Sequence, residues 1–256
     1  MTNLLMTIRA GCDREGIPET FGSLELRTGD LVALVGPTGS GKSRLLADIE
    51  WLAEGDSPSK RRVELTGAGE SAEDRAEGAH HRVAQLSQSM QFTLDLDVGR
   101  FLSLHAKARE VADPDHVVAQ VIESACTLCG EAFTAHTHLS ALSGGQSRAL
   151  MISDTAILAA APVVLVDEVE NAGVDRRKAM DLLVSRDKIV LMATHDPLLA
   201  LLAPRRIVLA RGGIRSVRTR TPAEEMLLAE FEQLDTRVSL VRERLRTGLS
   251  GSADEN

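Results

Sequence analysis

This 256-residue sequence predicts an α/β fold built on a mostly parallel sheet, and three observations carry that prediction. Leu31-Val-Ala-Leu-Val35, Val163-Val-Leu-Val-Asp167 and Ile189-Val-Leu-Met-Ala-Thr194 are short apolar runs, the pattern of strands buried on both faces. Helically spaced segments separate these runs, and strand alternating with helix calls for parallel crossovers. Finally, a glycine-rich turn, residues 36–43, lies between the first run and the helical segment Ser43-Arg-Leu-Leu-Ala-Asp-Ile-Glu-Trp-Leu52.

The elements follow in chain order. Leu4 to Arg9 and Ser23 to Arg27 have strand character and are expected to form an N-terminal antiparallel pair, with Gly29-Asp30 turning the chain into the first core strand. Residues Gly55 to His81 are rich in Gly, Ser and charge around one strand-like segment, Arg62-Val-Glu-Leu65, and are expected to hold the least ordered loop. Arg82-Val-Ala-Gln-Leu-Ser87 is again strand-like. From Met90 to Ala141 the spacing turns helical, with Val98, Phe101, Leu102 and Leu104 before Asp113-Pro114, then Val117, Val118, Val121, Ile122 and Ala125. Gln146 to Ala160 predicts a long apolar helix, broken from the next strand by Pro162.

Composition narrows the function classes. Twenty-nine Lys+Arg against 37 Asp+Glu give a net charge of −8, so no basic field invites nucleic acid or anionic lipid. The local cluster Lys60-Arg-Arg62 is expected to be a solvated edge. Three cysteines, no signal-like N-terminus and no apolar run near the length of a membrane span point to a reducing, cytoplasmic setting.

The chemistry lies in the motifs. Gly36, Pro37, Thr38, Gly39, Ser40, Gly41, Lys42 and Ser43 fit the Gly-x4-Gly-Lys-Ser/Thr loop. In such a loop backbone N–H groups close around the α- and β-phosphates, the lysine reaches the β/γ oxygens, and the serine hydroxyl coordinates Mg²⁺. The phosphates then lie on a helix N-terminus, where free N–H groups favour anions. Alone, the loop says only nucleoside triphosphate. Leu142-Ser143-Gly144-Gly145-Gln146 narrows it, because a hydroxyl, two small residues and a helix start make a second anion site.

Together the two motifs resemble those of ATP-binding cassette (ABC) ATPases, and three more matches arrive in that family's order: Gln88 after its strand, Asp167-Glu168 ending the Walker B strand, and His195 after Thr194. The resemblance runs from about residue 4 to about 217. It implies a P-loop NTPase core in two parts, residues 1–89 and 146–220, enclosing an ABC-type helical subdomain at 90–145, with 221–256 as a C-terminal amphipathic helix and tail. It also implies an Mg-dependent ATPase that works as a head-to-tail homodimer with ATP sandwiched between chains. In that arrangement Ser143, Gly144, Gly145 and Gln146 close on the partner's ATP, and Asp175 lies at the dimer seam.

Residue types supply the roles. Asp167, at a strand's C-terminal end, suits Mg²⁺ through water, together with Ser43 and Gln88, and Glu168 projects one position further as the candidate general base. His195 can donate to a γ-phosphate oxygen, and the Gln88 amide can hold Mg²⁺ or water. For Gln88 and His195 in isolation, a satisfied polar residue at a strand end is the competing explanation. Two departures from the family stand out. The segment between Thr2 and Thr20 has no aromatic residue to stack on adenine, which leaves Phe21, Ile17 or Arg14 as substitutes, and Val169-Glu170-Asn171 follows Asp167-Glu168 where transporter subunits commonly have Pro-Thr or Pro-Ser.

That proline-free form tips the expectation slightly toward an ATPase that remodels or matures an unidentified protein complex. The alternative is the ATP-binding subunit of a transporter with separate transmembrane subunits. Cys126-Thr-Leu-Cys129 with His136 and His138 could hold a metal, but packing of small buried thiols in a core helix is the favoured account. In the tail, Leu227, Phe231, Leu234, Val238, Val241 and Leu245 alternate four and three apart after Thr221-Pro222, and this stripe is expected to dock on the chain's own nucleotide-binding lobe through Phe231.

Overall fold

The computed structural model describes residues 4–67, 82–87, 92, 94–167 and 173–246. Gln88, Glu168 and the stretch 68–81 of the expected loop lie outside the described residues. Three strands, β1 (Leu5–Arg9), β2 (Ser23–Arg27) and β4 (Arg62–Thr66), form an antiparallel sheet in the order β2-β1-β4. Their alternating burial leaves Met6, Ile8, Leu24, Leu26, Val63 and Leu65 on the core face and charged residues outside.

The second sheet has six strands in the order β5-β6-β7-β3-β8-β9. These are β3 (Leu31–Val35), β5 (Val83–Leu86), β6 (Val163–Asp167), β7 (Ile189–Ala193), β8 (Arg205–Ala210) and β9 (Gly213–Thr219). All neighbours are parallel except β8 and β9, an antiparallel pair with a register shift at Val208/Leu209. The apolar runs are continuous because both faces are covered. Val163, Leu165, Ile189 and Leu191 pack toward the antiparallel sheet, while Val164, Val166, Val190 and Met192 pack toward the helices on the other face.

Those helices are capped as their sequences dictate. α2 (Val98–Ala108) starts on Asp97, whose carboxylate accepts from Arg100 N–H at 2.7 Å, and α3 (Pro114–Cys129) starts on Asp113, with Pro114 in its first turn and Gly130 in the left-handed conformation at its end. α4 (Gly144–Ile157) packs along α3 and buries Leu150 and Ile152. α1 (Lys42–Glu50), α5 (Arg176–Ser185) and α6 (Pro197–Leu202) cover the sheet, and α7 (Pro222–Arg246) closes the described chain.

Burial corrects one expectation from the sequence. Lys60 and Arg62 are exposed, but Arg61 between them is wholly inaccessible. Its guanidinium donates to both carboxylate oxygens of Glu19, to Asp48 Oδ2 of α1 at 2.9 Å, and to the Gly212 carbonyl at 2.8 Å. Burial opposes the charge on Arg61, but its hydrogen bonds and Coulomb attraction to Glu19 and Asp48 outweigh that and raise its pKa. Alternation along β4 cannot reveal this, since the three acceptors come from distant parts of the chain. Truncating one member of such a network leaves buried charges without a partner. Arg61→Met should therefore cost about 3–5 kcal/mol in urea unfolding, and exposed Arg62→Met under about 0.5.

Lys188, just before β7, is a second buried cation. Its Nζ donates to the carbonyls of Ala159 and Ala161, both at 2.8 Å, beyond the end of α4. Burial, reinforced by Arg109 and Arg186, lowers its pKa from 10.5 to about 8. A neutral amine still satisfies both carbonyls with its two hydrogens. Between those values the unfolded chain carries the proton and the folded one does not, so stability should rise with pH from about 8 to 10.5. A pH series of denaturant unfolding should show that rise and find it missing in Lys188→Met.

Candidate functional site

Three adjacent strands deliver the site to one edge. In the register of β6, β7 and β3, Asp167 lies beside Ala193, and Ala193 beside Leu34. The residues that follow β3 and β7, Gly36 onward and Thr194-His195, therefore leave the sheet next to Asp167, at the carboxyl ends where ligands bind in open α/β sheets.

The loop from β3 to α1 wraps the start of the helix. Gly39 has φ of +75° and Gly41 +107°, and a Cβ on Gly41 would stand 2.7 Å from the Gly212 Cα, so this approach of two backbones admits glycine alone. Lys42 is buried. Its Nζ donates to the Gly36 carbonyl at 2.9 Å and lies 2.9 Å from His195 Nε2. An ammonium only donates, so in this contact Nε2 accepts and the imidazole proton sits on Nδ1. Ser40 Oγ is buried without a hydrogen-bond partner. Lys42 and His195, separated by 153 positions in sequence, are thus brought together at the mouth of the loop.

Beside the loop opens a cavity of about 480 Å³, lined by Cys12, Asp13, Arg14, Ser43, Arg44 and Gly212 among others. Of the three residues proposed to replace an aromatic platform, Arg14 alone lines this cavity. Phe21 packs against the core of the antiparallel sheet, and Ile17 is half-exposed. Asp13 holds the preceding turn, with Oδ1 accepting from Glu15 and Ile17 N–H at 2.9 and 3.0 Å.

The second motif sits at the N-terminus of α4. Ser143 is the N-cap: its hydroxyl accepts from Gln146 N–H at 3.2 Å, and the Gln146 side-chain oxygen accepts from Ser143 N–H at 2.9 Å. Ser143 and Gly144 are exposed, and a Cβ on Gly144 would meet nothing within 4 Å. Asp175 caps α5 by accepting from Lys178 N–H at 3.1 Å, and its own N–H donates to the Leu128 carbonyl of α3 at 2.9 Å.

The Cys126–Cys129 region resolves differently from a four-ligand site. Phe133 N–H donates to Cys126 Sγ at 3.4 Å, and the Cys129 thiol donates to the Glu131 carbonyl at 3.3 Å. His138 is turned to Asp95 and Ser140 instead. Burial pushes the Cys129 thiol up in pKa, against the thiolate a metal needs. Among the described residues no three His, Cys, Asp or Glu side chains gather as a metal site.

A phosphate-cradling loop, an exposed small-residue helix start, and an Asp and a His at neighbouring strand ends are one constellation, and the ABC transporter family model matches residues 22–171 of this sequence. The chain belongs to the ABC transporter family. It is an ATP-binding protein and an ATPase. An uncharacterized ABC transporter ATP-binding protein of Methanocaldococcus jannaschii is 43% identical over 243 residues, covering 95% of this chain and 93% of that protein. The cobalamin import ATP-binding protein of Halobacterium salinarum is 29% identical over 178 residues, or 67% of this chain and 43% of that protein. In fold, this ABC protein is similar to cbiO1 of Clostridium perfringens, part of an ABC transporter complex, with a TM-score of 0.60 at 18% identity over 95% and 97% of the two chains. These relatives favour the transporter alternative over the remodelling role that the proline-free Asp167-Glu168 segment suggested.

Glycine at position 41 makes the geometry testable. Gly41→Ala forces a strained φ and a backbone clash, worth about 1–3 kcal/mol, so nucleotide affinity should fall by roughly 5- to 150-fold. A fluorescent-nucleotide titration reads that loss, with Gly16→Ala as the comparison, where φ is also positive but open space surrounds the position.

Proposed function

We propose that this chain is the ATP-binding subunit of an ABC transporter whose membrane-spanning part is carried on separate polypeptides. One observation carries the reading: similarity to an ABC transporter ATP-binding protein extends over nearly the whole of both chains. The acidic net charge fits binding to protein partners better than to nucleic acid.

In this reading the 36–43 loop holds the phosphates, and Lys42 exchanges its contacts with Gly36 and His195 for the β/γ oxygens. His195, released from Lys42, changes tautomer so that its proton sits on Nε2, which then donates to the γ-phosphate. Arg14 lies flat against the nucleobase in the cavity, a guanidinium doing the work of the missing aromatic ring. The donor set of Ser43 hydroxyl and Asp167 carboxylate, with the Gln88 amide, is all oxygen and suits a hard cation. When bound there, Mg²⁺ would neutralise phosphate charge. Glu168 orients and polarises the attacking water. The exposed Ser143-Gly144-Gly145 helix start serves ATP held by a second chain, which makes the working unit a homodimer with the nucleotide between copies.

The deciding experiment is affinity capture from native membranes solubilised in mild detergent, with Glu168→Gln as bait in Mg-ATP. The substitution should lower turnover by roughly 10²-fold or more without loss of ATP binding. The captured material should contain an integral membrane protein in stoichiometric amount. A bait that retains only non-membrane proteins would return the reading to a remodelling ATPase.

A further inference from the structure

α7 presents two different faces. On one, Glu224, Leu228, Phe231, Glu232 and Asp235 are partly buried, and the helix is pinned there by ion pairs from Arg206 to Glu224, Arg177 to Glu232 and Arg176 to Asp235. Phe231, the anchor expected from the tail sequence, is among these partly buried residues. The rest of the stripe does not follow it inward. Leu227 is 44% exposed, Leu234 53%, Val238 44%, Val241 50% and Leu245 68%, and every described side chain from Thr236 onward is exposed. That outer segment, residues 236–246, continues the helix for about 16 Å with its apolar stripe open.

We infer that this stripe is an interface with α7 of a second copy of the chain, the two helices packed antiparallel. Spacing and charge both point to that occupant. The intervals from Leu227 through Phe231, Leu234, Val238 and Val241 to Leu245 read four, three, four, three, four, which is the same in both directions. An antiparallel copy therefore sets Leu227 against Leu245 and Leu234 against Val238, with Val241 meeting the exposed edge of the partly buried Phe231.

The charges are segregated along the helix. Glu224, Glu225, Glu230, Glu232 and Asp235 occupy the first half with no Lys or Arg, whereas Arg237, Arg242, Arg244 and Arg246 dominate the second, with Glu243 as its one acid. Antiparallel pairing lays each acidic half along a basic half and brings Glu230 beside Arg244 of the second copy, twice by symmetry. Parallel pairing in register would instead put Glu230 beside Asp235 and Arg237 beside Arg242, like against like. The ion pairs to Arg176, Arg177 and Arg206 lie about a quarter-turn around the helix from the seam and need not break. This contact uses no nucleotide, and so stands or falls separately from the ATP-dependent dimer.

The test is sedimentation equilibrium of the full chain without nucleotide, in a Lys42→Ala background that weakens any ATP-driven pairing. A reversible dimer should form in the micromolar range. Leu234→Glu/Val238→Glu, at two exposed central positions, should weaken it by at least ~10-fold while leaving the unfolding midpoint in place. Glu230→Arg and Arg244→Glu should each weaken it several-fold at low salt, and the two together in one chain should restore it. Those two positions are about 21 Å apart within one helix, so only an antiparallel partner allows that rescue. A chain that stays monomeric to ~100 μM, a dimer indifferent to the Leu234/Val238 substitutions, or a double charge swap weaker than either single change would each overturn the inference.

Discussion

The constraint on which the nucleotide end of this molecule depends is the placement of one guanidinium in a site with no access to water. A charged arginine there is tolerable only if every side of the planar group meets an acceptor, and Arg61 meets three: Glu19 from the loop between the first two strands, Asp48 from the helix after the phosphate loop, and the Gly212 carbonyl from the turn between the last two strands. Those three segments also form walls of the cavity beside the phosphate loop. Gly212 is the residue against which Gly41 packs, and its N–H donates to the Ser40 carbonyl at 2.8 Å. The antiparallel sheet, the helix after the phosphate loop and the far edge of the parallel sheet are thus fixed to one another around the cavity beside that loop.

The parallel sheet supplies the complementary half of the site by simple geometry. Strands that run the same way end at the same edge, so residues separated by well over a hundred positions emerge side by side when their strands are neighbours. Burial on both faces makes those strands rigid, and polar groups at their ends inherit that rigidity. The Lys42–His195 contact shows the result: a lysine on a helix and a histidine after a strand meet within hydrogen-bonding distance at the sheet's carboxyl edge.

Much of this was legible in the sequence, for reasons that can be named. Strands buried on both faces must be apolar without interruption, so Leu31–Val35, Val163–Asp167 and Ile189–Ala193 announce themselves. The phosphate loop is readable because backbone conformations that only glycine adopts leave a fixed spacing. What escaped depends on partners remote in sequence. Arg61 looks like one of three surface cations until Glu19, Asp48 and Gly212 are brought to it, and nothing near Lys188 signals that Ala159 and Ala161 will offer it carbonyls. The open seam of α7 was misjudged because a stripe at helical spacing says that something covers it, not what. The missing proline after Glu168 proved a weaker guide to biological role than similarity along the whole chain.

The attachment of α7 carries a mechanical consequence. The cations that hold it, Arg176 and Arg177, are the first two residues of α5, directly after the Asp175 cap that is itself bonded to the end of α3. A lever clamped near its middle and projecting from the body at one end magnifies rotation at the clamp. A tilt of about 10° in the first turn of α5 would sweep the tip of the projecting segment through roughly 3 Å, since that segment is about 16 Å long. Packed against α7 of a second copy, the tail would therefore pass small movements at the junction of the helical and nucleotide-binding halves on to that copy.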